Sequence, residues 1–408
     1  MIPARLRFNS LARLGLATGL VTTLGCNSGT TDDEVGDSAT DDASTSASTD
    51  ADSSESNSST GDGDGDTTTA TDSNTTSATD TNTTDTNTDT TATGDGDGDT
   101  SCAGYFPPDA IWCRNVSDAP TAPDSETVIA WLDDAGWGND NTFQIDFTIE
   151  VLEADAATPR QAFEATGDFY SPDCDWVEMP VPEGGVLEGE NGYECTSDGD
   201  CHLIVVERDE QRLYEMWRAN IVDGQFYGGC LAVWDMTMVY GDEGRGDGCT
   251  SADAAGFPIA PLLFDADEVA SGSIDHAIRF ILPNDNIRHF IYVRPATHST
   301  NPTGGPAEAP PYGVHLRLRA DYPLDSLPNE GARVVARAMQ TYGMFLADGG
   351  QIALTARSDR FTTAKWDGLL EPQDLVALTP GDFEVVDHGP ALDYEQVECT
   401  RTPLGTPP

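Results

Sequence analysis

The feature that most restricts this chain is a long stretch, residues 27–100, in which almost no side chain can join a hydrophobic core. It contains 19 acidic residues, no basic or aromatic residue, and Val35 as its only large aliphatic side chain. Because so little apolar surface can be buried, the free energy of burial cannot offset the entropy lost on ordering the chain. The sequence therefore predicts a disordered, low-complexity acidic spacer here. Downstream of it we expect a folded ectodomain over residues 101–400 and a tail over 401–408.

Residues 1–26 are typical of an export signal. Three arginines precede an apolar run of about 11 residues, which is too short to span a bilayer of roughly 30 Å. The run ends in Thr23-Leu24-Gly25-Cys26, which resembles the lipobox of bacterial lipoproteins, where the cysteine is lipidated. The resemblance implies a signal peptide over residues 1–26, a lipid anchor on Cys26 and the membrane as a partner.

The first 100 residues together resemble the cell-surface lipoproteins of myxobacteria, which carry acidic Thr/Asp/Gly spacers. The resemblance implies a lipid-anchored protein of the bacterial cell envelope that faces the periplasm or the exterior, and it implies no activity. Two Asp-Gly runs, residues 61–66 and 94–99, have the composition of calcium loops. No hydrophobic residues flank them to hold a loop in place, so we predict no metal site.

The cysteines outside the signal predict a disulfide-bonded domain. An even number of cysteines in an exported chain favours disulfides, and eight follow the spacer: Cys102, Cys113, Cys174, Cys195, Cys201, Cys230, Cys249 and Cys399. Chain proximity suggests Cys195–Cys201 and Cys230–Cys249, while Cys102–Cys399 would join the two ends of the domain. The chain has no zinc-type Cys-x-x-Cys pair.

Short segments of alternating polar and apolar residues dominate the ectodomain, and this period is that of β-strands. Residues 202–207 and 212–217 predict a hairpin, and helical spacing of apolar residues predicts one helix over 328–340. Further strands are predicted over residues 142–152, 231–240, 276–282, 289–294, 314–320, 342–347, 351–356 and 382–386. This pattern indicates a mainly β fold, an antiparallel β-sandwich or jelly-roll-like ectodomain with one or two short helices.

Residues 200–387 resemble an uncharacterised family of secreted bacterial proteins. The segments that carry this resemblance are residues 248–258, 275–280, 292–298 and 311–313. The resemblance implies one coherent domain and no assigned activity.

The charge of the ectodomain excludes several classes of function. Residues 101–408 contain 52 acidic and 17 basic residues, which rules out ordinary nucleic-acid binding and electrostatic adhesion to anionic lipid. Neither a phosphate-binding loop nor a dinucleotide fingerprint is present, so no cofactor is predicted. Ser251 lacks the Gly-x-Ser-x-Gly turn of a hydrolase nucleophile, and Asp253 is interpreted as the cap of a turn or short helix over residues 252–255.

One window, residues 276–319, reverses this charge pattern. It holds five arginines, only two acidic residues and four of the six histidines. Arginine pairs with carboxylates and Tyr or His transfers protons near neutral pH, so the window predicts a site for extracellular, in one hypothesis acidic, polysaccharide. In residue types it resembles the sites of jelly-roll polysaccharide lyases. The candidate catalytic residues are His276, Tyr292, His298 and His315, and the candidate substrate-binding residues are Arg279, Arg294 and Arg317.

Three alternatives stay open at the level of sequence, and whether the protein is an enzyme is not decided. The arginines of the window can simply pair with the surplus carboxylates. The domain can be a non-catalytic surface binding or adhesion module. It can also be a glycoside hydrolase that uses paired carboxylates, for which the predicted hairpin and its neighbour offer Glu207, Glu215, Asp235, Tyr214, Trp217 and Trp234.

Overall fold

The structure is a computed structural model that describes residues 101–197 and 199–407. The predicted signal peptide, Cys26 and the predicted spacer lie outside the described residues. The described residues belong to one compact unit. Within them, no helix is both long enough and apolar enough to cross a bilayer.

Three α-helices are present in the described residues: α1 (Ser125–Ala135), α2 (Ala266–Ser271) and α3 (Glu330–Thr341). Helix α3 is the one that the sequence predicts. Asn329 caps its N-terminus with a side chain that accepts a hydrogen bond from the backbone N–H of Ala332 at 2.8 Å.

Most of the remaining regular structure in the described residues is β-strand. The strands are β1 (Ile145–Ile149), β2 (Val151–Ala154), β3 (Arg160–Gln161), β4 (Glu164–Ala165), β5 (Met179–Pro180), β6 (Leu203–Glu207), β7 (Arg212–Trp217), β8 (Asn220–Val222), β9 (Gln225–Gly228), β10 (Cys230–Asp235), β11 (Ile278–Leu282), β12 (Ile291–Tyr292), β13 (His315–Leu318), β14 (Met344–Gly349), β15 (Leu354–Arg357), β16 (Phe383–Val385) and β17 (Leu392–Asp393).

The strands form several open sheets. The largest has six strands in the order β1-β15-β11-β14-β13-β16, and the next has four in the order β10-β7-β6-β2. Strand β1 is parallel to β15, β11 to β14, and β2 to β6, whereas the other neighbours in these two sheets are antiparallel. The mainly β class is confirmed, but the expectation of purely antiparallel sheets is wrong. The sandwich or jelly-roll arrangement stays a prediction.

The predicted hairpin, β6 and β7, lies at the centre of the four-stranded sheet. Alternate residues of β6 point to opposite faces, as the period of a strand requires. Ile204 and Val206 join the main hydrophobic core, whereas Leu203 and Val205 join a second, smaller core. Burial on both faces accounts for the continuous apolar run in this part of the sequence.

The strand predicted over residues 142–152 is divided at Glu150. Its first part is β1 in the six-stranded sheet and its second part is β2 in the four-stranded sheet. Glu150 is buried between them, with Oε1 3.0 Å from Nε of Arg360. One segment therefore links the two large sheets.

Four disulfides close the domain: Cys102–Cys113, Cys174–Cys230, Cys195–Cys201 and Cys249–Cys399. The predicted Cys195–Cys201 pair is confirmed, and the two other predicted pairs are wrong. Cys230 begins β10, and the backbone N–H of Asp175 donates to the carbonyl of Leu231 in that strand at 2.7 Å, which brings Cys174 beside Cys230. Such a set of disulfides is typical of an exported domain.

Candidate functional site

A cleft of about 740 Å³ opens in the described domain, within the usual range of ligand sites, roughly 300–1,000 Å³. Aromatic and ionisable side chains make up half of its lining. The aromatic residues are Tyr170, Trp217, Phe290, Tyr312 and Tyr394, and the ionisable ones other than tyrosine are Asp173, Asp200, Arg218, Asp253, His298 and Asp348.

A β-bulge at the end of β14 positions the first part of the cleft. The pairing of β11 with β14 shifts after Phe280, so that Ile281 pairs with Asp348 and Ala347 is left as an extra residue. Bulges of this kind redirect side chains. The carbonyl of Ala347 accepts a hydrogen bond from the backbone N–H of Ala255 at 2.9 Å, which holds the loop of residues 250–257 against the end of β14.

Gly256 lets this loop approach its neighbours closely. Its φ is +85°, and a Cβ at this position would lie 2.1 Å from Oγ1 of Thr297 and 2.8 Å from the carbonyl oxygen of Cys249. Glycine is therefore required by both backbone conformation and space. The backbone N–H of Thr297 donates to the carbonyl of Ala255 at 3.0 Å, so the segment that carries His298 is fixed to the same loop.

A buried arginine joins two carboxyl groups at the cleft. Nη2 of Arg279 lies 2.8 Å from Oδ2 of Asp253 and 3.8 Å from Oδ2 of Asp348, and Nη1 donates to Thr355 at 3.1 Å. The Asp253 side chain is 0% exposed, whereas that of Asp348 is 21% exposed. Asp253 thus serves as the internal partner of Arg279, and Asp348 is the carboxyl that a ligand can reach.

The protonation of these two carboxyls is linked. Burial and then the charge of Asp253 raise the pKa of Asp348 to about 7, against the opposing charge of Arg279. Burial also raises the pKa of Asp253, while its ion pair with Arg279 opposes the rise. Neighbouring carboxyls titrate as a pair. Because Asp253 has the closer ion pair, we assign the retained proton to Asp348, which makes Asp348 a proton donor near neutral pH.

His298 supplies a proton acceptor in the same cleft. Its Nδ1 lies 2.8 Å from the carbonyl oxygen of Ala254, so we assign the proton to Nδ1 and leave the lone pair of Nε2 free. Burial lowers the pKa of His298 below its usual value, against the effect of this hydrogen bond. The backbone N–H of the same Ala254 donates to Oδ2 of Asp348 at 3.4 Å. One residue therefore holds both the neutral imidazole and the protonated carboxyl.

A buried ion pair supports the same loop. His202 places Nδ1 2.6 Å from Glu188 and Nε2 3.0 Å from the carbonyl oxygen of Ala252. Burial opposes the charged imidazole, but the charge and hydrogen bond of Glu188 outweigh it and raise the pKa of His202 to about 9. A charged His202 thus fixes Ala252, directly before Asp253.

The wall of the cleft combines aromatic surface with hydrogen-bonding groups. The indole N–H of Trp217 donates to Oδ1 of Asp200 at 2.9 Å. Arg218 lies over the Trp217 ring at 4.7 Å and pairs with Asp168 at 2.9 Å. Tyr170 is 51% exposed. This combination suits a ligand with both apolar faces and hydroxyl or amine groups.

Of the seven predicted substrate-binding and catalytic residues, His298 lines the cleft and Arg279 lies buried beside it. His276 lies 3.1 Å from Glu268 of α2 and is buried. His315 bonds the carbonyl of Tyr342 at 2.7 Å, and burial lowers its pKa to about 4. These two histidines are internal contacts of the fold, away from the cleft lining.

Arg317, Tyr292 and Arg294 are also occupied by partners within the domain. Arg317 pairs with Glu384 at 2.6 Å. The Tyr292 hydroxyl donates to Asp247 at 3.0 Å and Arg294 pairs with the same carboxylate at 2.8 Å. Strand β14 separates β11 from β13, and β12 pairs with β17 in a different sheet. The predicted residues therefore do not converge on one site.

This pairing extends to nearly all the cations of the domain. Of the 17 Lys and Arg residues in residues 101–408, 15 form ion pairs with Asp or Glu in the described structure. The structure thus favours the alternative in which the arginines of the cationic window pair with the surplus carboxylates.

The paired carboxylates of the glycoside hydrolase hypothesis lie outside the cleft lining. Glu207 pairs with Arg160, and Asp235 pairs with Arg212 at 2.8 Å. Glu215 is fully buried, where it accepts hydrogen bonds from the backbone N–H groups of Ile259 and Ala260 at 2.8 and 2.9 Å and from Trp234 at 3.0 Å. Among the aromatic residues of that hypothesis, Trp217 does line the cleft, whereas Tyr214 and Trp234 are buried.

The described residues offer two groups of three potential metal ligands, Asp173-Cys249-Cys399 and Glu190-Cys195-Cys201. Both contain cysteines that are joined in disulfides, so neither group has free thiolates for a metal.

The most informative residue that the sequence analysis missed is Asp348. It directly follows the predicted strand 342–347 and precedes Gly349-Gly350. An acidic residue between a strand and two glycines was the available signal. Asp253 was noticed only as a turn cap, and its Oδ1 does accept the N–H of Ala255 at 3.1 Å.

No protein-family model, curated protein or solved structure matches this chain.

Proposed function

We propose that the domain is a glycoside hydrolase for an extracellular polysaccharide that carries no negative charge. The observation that carries this proposal is the pairing of a reachable, protonated Asp348 with a neutral His298 on the two sides of Ala254, inside an aromatic cleft. Enzymes place acids and bases with pKa values near neutrality at sites of proton transfer.

The lining of the cleft supports a glycan rather than an apolar ligand. Aromatic rings offer flat surfaces for the C–H faces of sugars, and the amides of Asn284 and Asn301 offer donors and acceptors for hydroxyls. The half-exposed ring of Tyr170 is one of these surfaces.

Charge argues against an acidic substrate. Four aspartates line the cleft with one arginine, Arg218, and that arginine already pairs with Asp168. A concave surface with excess negative charge repels anionic ligands. The acidic polysaccharide of the first hypothesis is therefore disfavoured.

In the proposed mechanism, a water molecule loses a proton to Nε2 of His298 while its oxygen attacks the anomeric carbon. The bond from that carbon to the glycosidic oxygen breaks, and the carboxyl proton of Asp348 passes to the leaving oxygen. Solvent then returns the proton from His298 to Asp348. Asp253 and Arg279 are positioning residues because they set the location and protonation of Asp348 without touching substrate. A single displacement of this kind inverts the anomeric configuration.

The test compares wild type with Asp348→Asn in the full, disulfide-bonded chain held in detergent. Reducing ends released from uncharged, cationic and anionic polysaccharides are measured. Because general acid catalysis contributes about 100-fold to 10,000-fold, we expect kcat of the variant to fall at least about 100-fold with little change in substrate affinity. The matched control is Asp209→Asn, which removes an exposed carboxylate in the turn between β6 and β7.

Two results would overturn the proposal. The first is full turnover by Asp348→Asn. The second is glycan binding without release of reducing ends by folded wild type, which would make the domain a non-catalytic binding module.

We also propose that Cys26 carries a lipid that displays the domain from the cell envelope. The lipobox-like segment supports this anchor, and the four disulfides support an exported location. Wild type should partition into detergent and Cys26→Ser into the aqueous phase, and intact-mass measurement should show acyl chains on the wild type only. Aqueous partition of both proteins would refute the anchor.

A further inference from the structure

We propose that the substrate of the cleft carries free amino groups, so that it is a polymer of deacetylated amino sugars whose ammonium groups pair with Asp200 and Asp173. This inference rests on the proposed glycan site and names its substrate class.

Asp200 is an exposed carboxylate on the cleft wall, and the one arginine that lines the cleft pairs with a different carboxylate. Its Oδ1 accepts the indole N–H of Trp217 at 2.9 Å. Arg218, which follows Trp217 in the chain, pairs with Asp168 at 2.9 Å. Within the described residues, Asp200 has no ion pair, so its charge is available to a ligand that also contacts the Trp217 wall.

Asp173 shows the same arrangement more clearly. Its Oδ1 accepts the backbone N–H of Thr250 at 2.8 Å, and no cation pairs with it in the described part of the chain. Two residues further on, the buried Asp175 takes two arginines, Arg245 at 2.6 Å and Arg401 at 2.7 Å. The cations of this region are thus gathered on the internal carboxylate, and the carboxylate that lines the cleft is left with its charge uncompensated.

A separate observation indicates that the cleft lacks a polar partner that a ligand could supply. Ser299 lines the cleft and is fully buried, yet its hydroxyl has no hydrogen-bond partner in the described structure. A buried hydroxyl without a partner destabilises the folded state. A substrate amine or hydroxyl would satisfy Ser299 and remove this destabilisation.

An ammonium group fits these features better than an acetamido group does. It offers three donors and a positive charge, and charge-assisted bonds to carboxylates are about twice as strong as neutral ones. Acetylation removes the charge and leaves a single N–H donor. The excess of acidic residues in the domain, 52 against 17 basic ones, adds a long-range attraction for a polycation that salt weakens.

The experiment measures binding by the full chain carrying Asp348→Asn, which slows cleavage, with a glucosamine hexamer and an N-acetylglucosamine hexamer as probes. We expect the glucosamine hexamer to bind at least about tenfold more tightly at low salt, with a preference that declines as salt rises. Adding either Asp200→Asn or Asp173→Asn should weaken binding of the glucosamine hexamer about threefold or more. Binding of the acetylated hexamer should stay nearly unchanged. Asparagine keeps the oxygen that accepts from Trp217 or Thr250, so the substitutions remove charge while preserving the wall.

The Asp209→Asn control distinguishes binding in the cleft from diffuse attraction between a polycation and an acidic protein. It removes one negative charge outside the cleft lining. Equal affinity for the two hexamers overturns the inference, and so does a preference that survives in the Asp173/Asp200 double variant. Wild-type cleavage of uncharged glycan without amine preference would remove this inference and leave the proposed function standing. Specific binding of the glucosamine hexamer without any cleavage would overturn the proposed hydrolase activity and leave the inferred ligand class standing.

Discussion

Replacing Arg279 with methionine tests whether this residue acts within the fold or on substrate. Methionine keeps much of the length of the side chain and removes its charge. Asp253, with a side chain that is 0% exposed, would then be a buried carboxylate without a cation. Removing one partner of a buried pair typically costs about 3–5 kcal/mol, a large share of the stability of about 5–15 kcal/mol that domains possess.

The loss of stability in Arg279→Met should depend on pH, because a protonated Asp253 carries no charge that must be buried without a cation. Burial already raises its pKa above the usual value in the presence of Arg279, and removing the guanidinium raises it further. A carboxyl with a raised pKa in the folded state binds a proton more tightly there than in the unfolded state. Stability therefore falls as pH rises from the unfolded to the folded pKa, by up to about 1.4 kcal/mol per pH unit. We expect a small loss at pH 5 and the full loss at pH 8.

Urea unfolding of the oxidised protein, followed by tryptophan fluorescence at pH 5 and pH 8, measures both quantities. The double variant Arg279→Met/Asp253→Asn removes both charges and should recover most of the loss at pH 8. Arg319→Met is the matched control: Arg319 is half exposed and lies 3.8 Å from Glu384, so its loss should stay below about 1 kcal/mol. A loss below about 1 kcal/mol for Arg279→Met at pH 8, or equal losses at the two pH values, would refute the reasoning.

Three further predictions concern protonation and space around the same loop. Initial rates of polysaccharide hydrolysis should fall above about pH 7 as Asp348 loses its proton. A flat pH profile of these rates from pH 6 to 9 would contradict the role of Asp348 as the general acid. His202→Gln should lower the free energy of unfolding by a few kcal/mol below about pH 6.5. Since Glu188 raises the folded pKa of His202 to about 9, the unfolding curves should converge as pH rises through that value, and a constant difference would disprove the charged form. Gly256→Ala should lower the Tm more than Gly224→Ala, since both positions have positive φ but only the first lacks room for a Cβ; equal shifts in a thermal melt would argue against crowding.

Local patterns were sufficient for part of the fold. The hairpin β6–β7, helix α3 and the Cys195–Cys201 disulfide each depend on residues close together in the chain. Their signals are alternation, helical spacing and a short closed turn, and none of them depends on distant strands.

Two helices were overlooked although each has a local signal. In α1, Val128, Ile129 and Leu132 form a buried face at helical spacing. In α2, Asp265 and Glu268 form a capping box, in which each side chain accepts the backbone N–H of the other. The many strand-like segments around them favoured a mainly β interpretation with few helices.

Sheet membership and long-range disulfides were beyond local reasoning. The alternation of residues 142–152 does not reveal that Glu150 divides the segment between two sheets, because that division depends on the strands that receive each half. Cys249 and Cys399 are 150 residues apart, and only the folded path of the chain brings them together.

The cationic window shows why a count of charges does not locate a site. Arg279, Arg294 and Arg317 find their carboxylates 26, 47 and 67 residues away in the sequence. With 52 acidic residues for 17 basic ones, almost any arginine meets a carboxylate when the chain folds. A local excess of arginine thus predicts internal ion pairs in a domain this acidic, and an open binding surface would require arginines that the fold keeps apart from every acid.

The same reasoning decides which buried acid can act on a ligand. Burial raises the pKa of both Glu215 and Asp348 to about 7, so protonation alone does not distinguish them. Glu215 is 0% exposed, so no substrate can reach its proton. Asp348 lies beside Asp253 and Arg279 on one side and reaches the cleft on the other, because the bulge at Ala347 turns it there. A general acid must be both protonated near neutral pH and accessible to the substrate. The accessibility of Asp348 depends on a register shift between β11 and β14. The first paired residues of these strands, Ile278 and Met344, are 66 residues apart in the chain. No pattern within either strand carries that information.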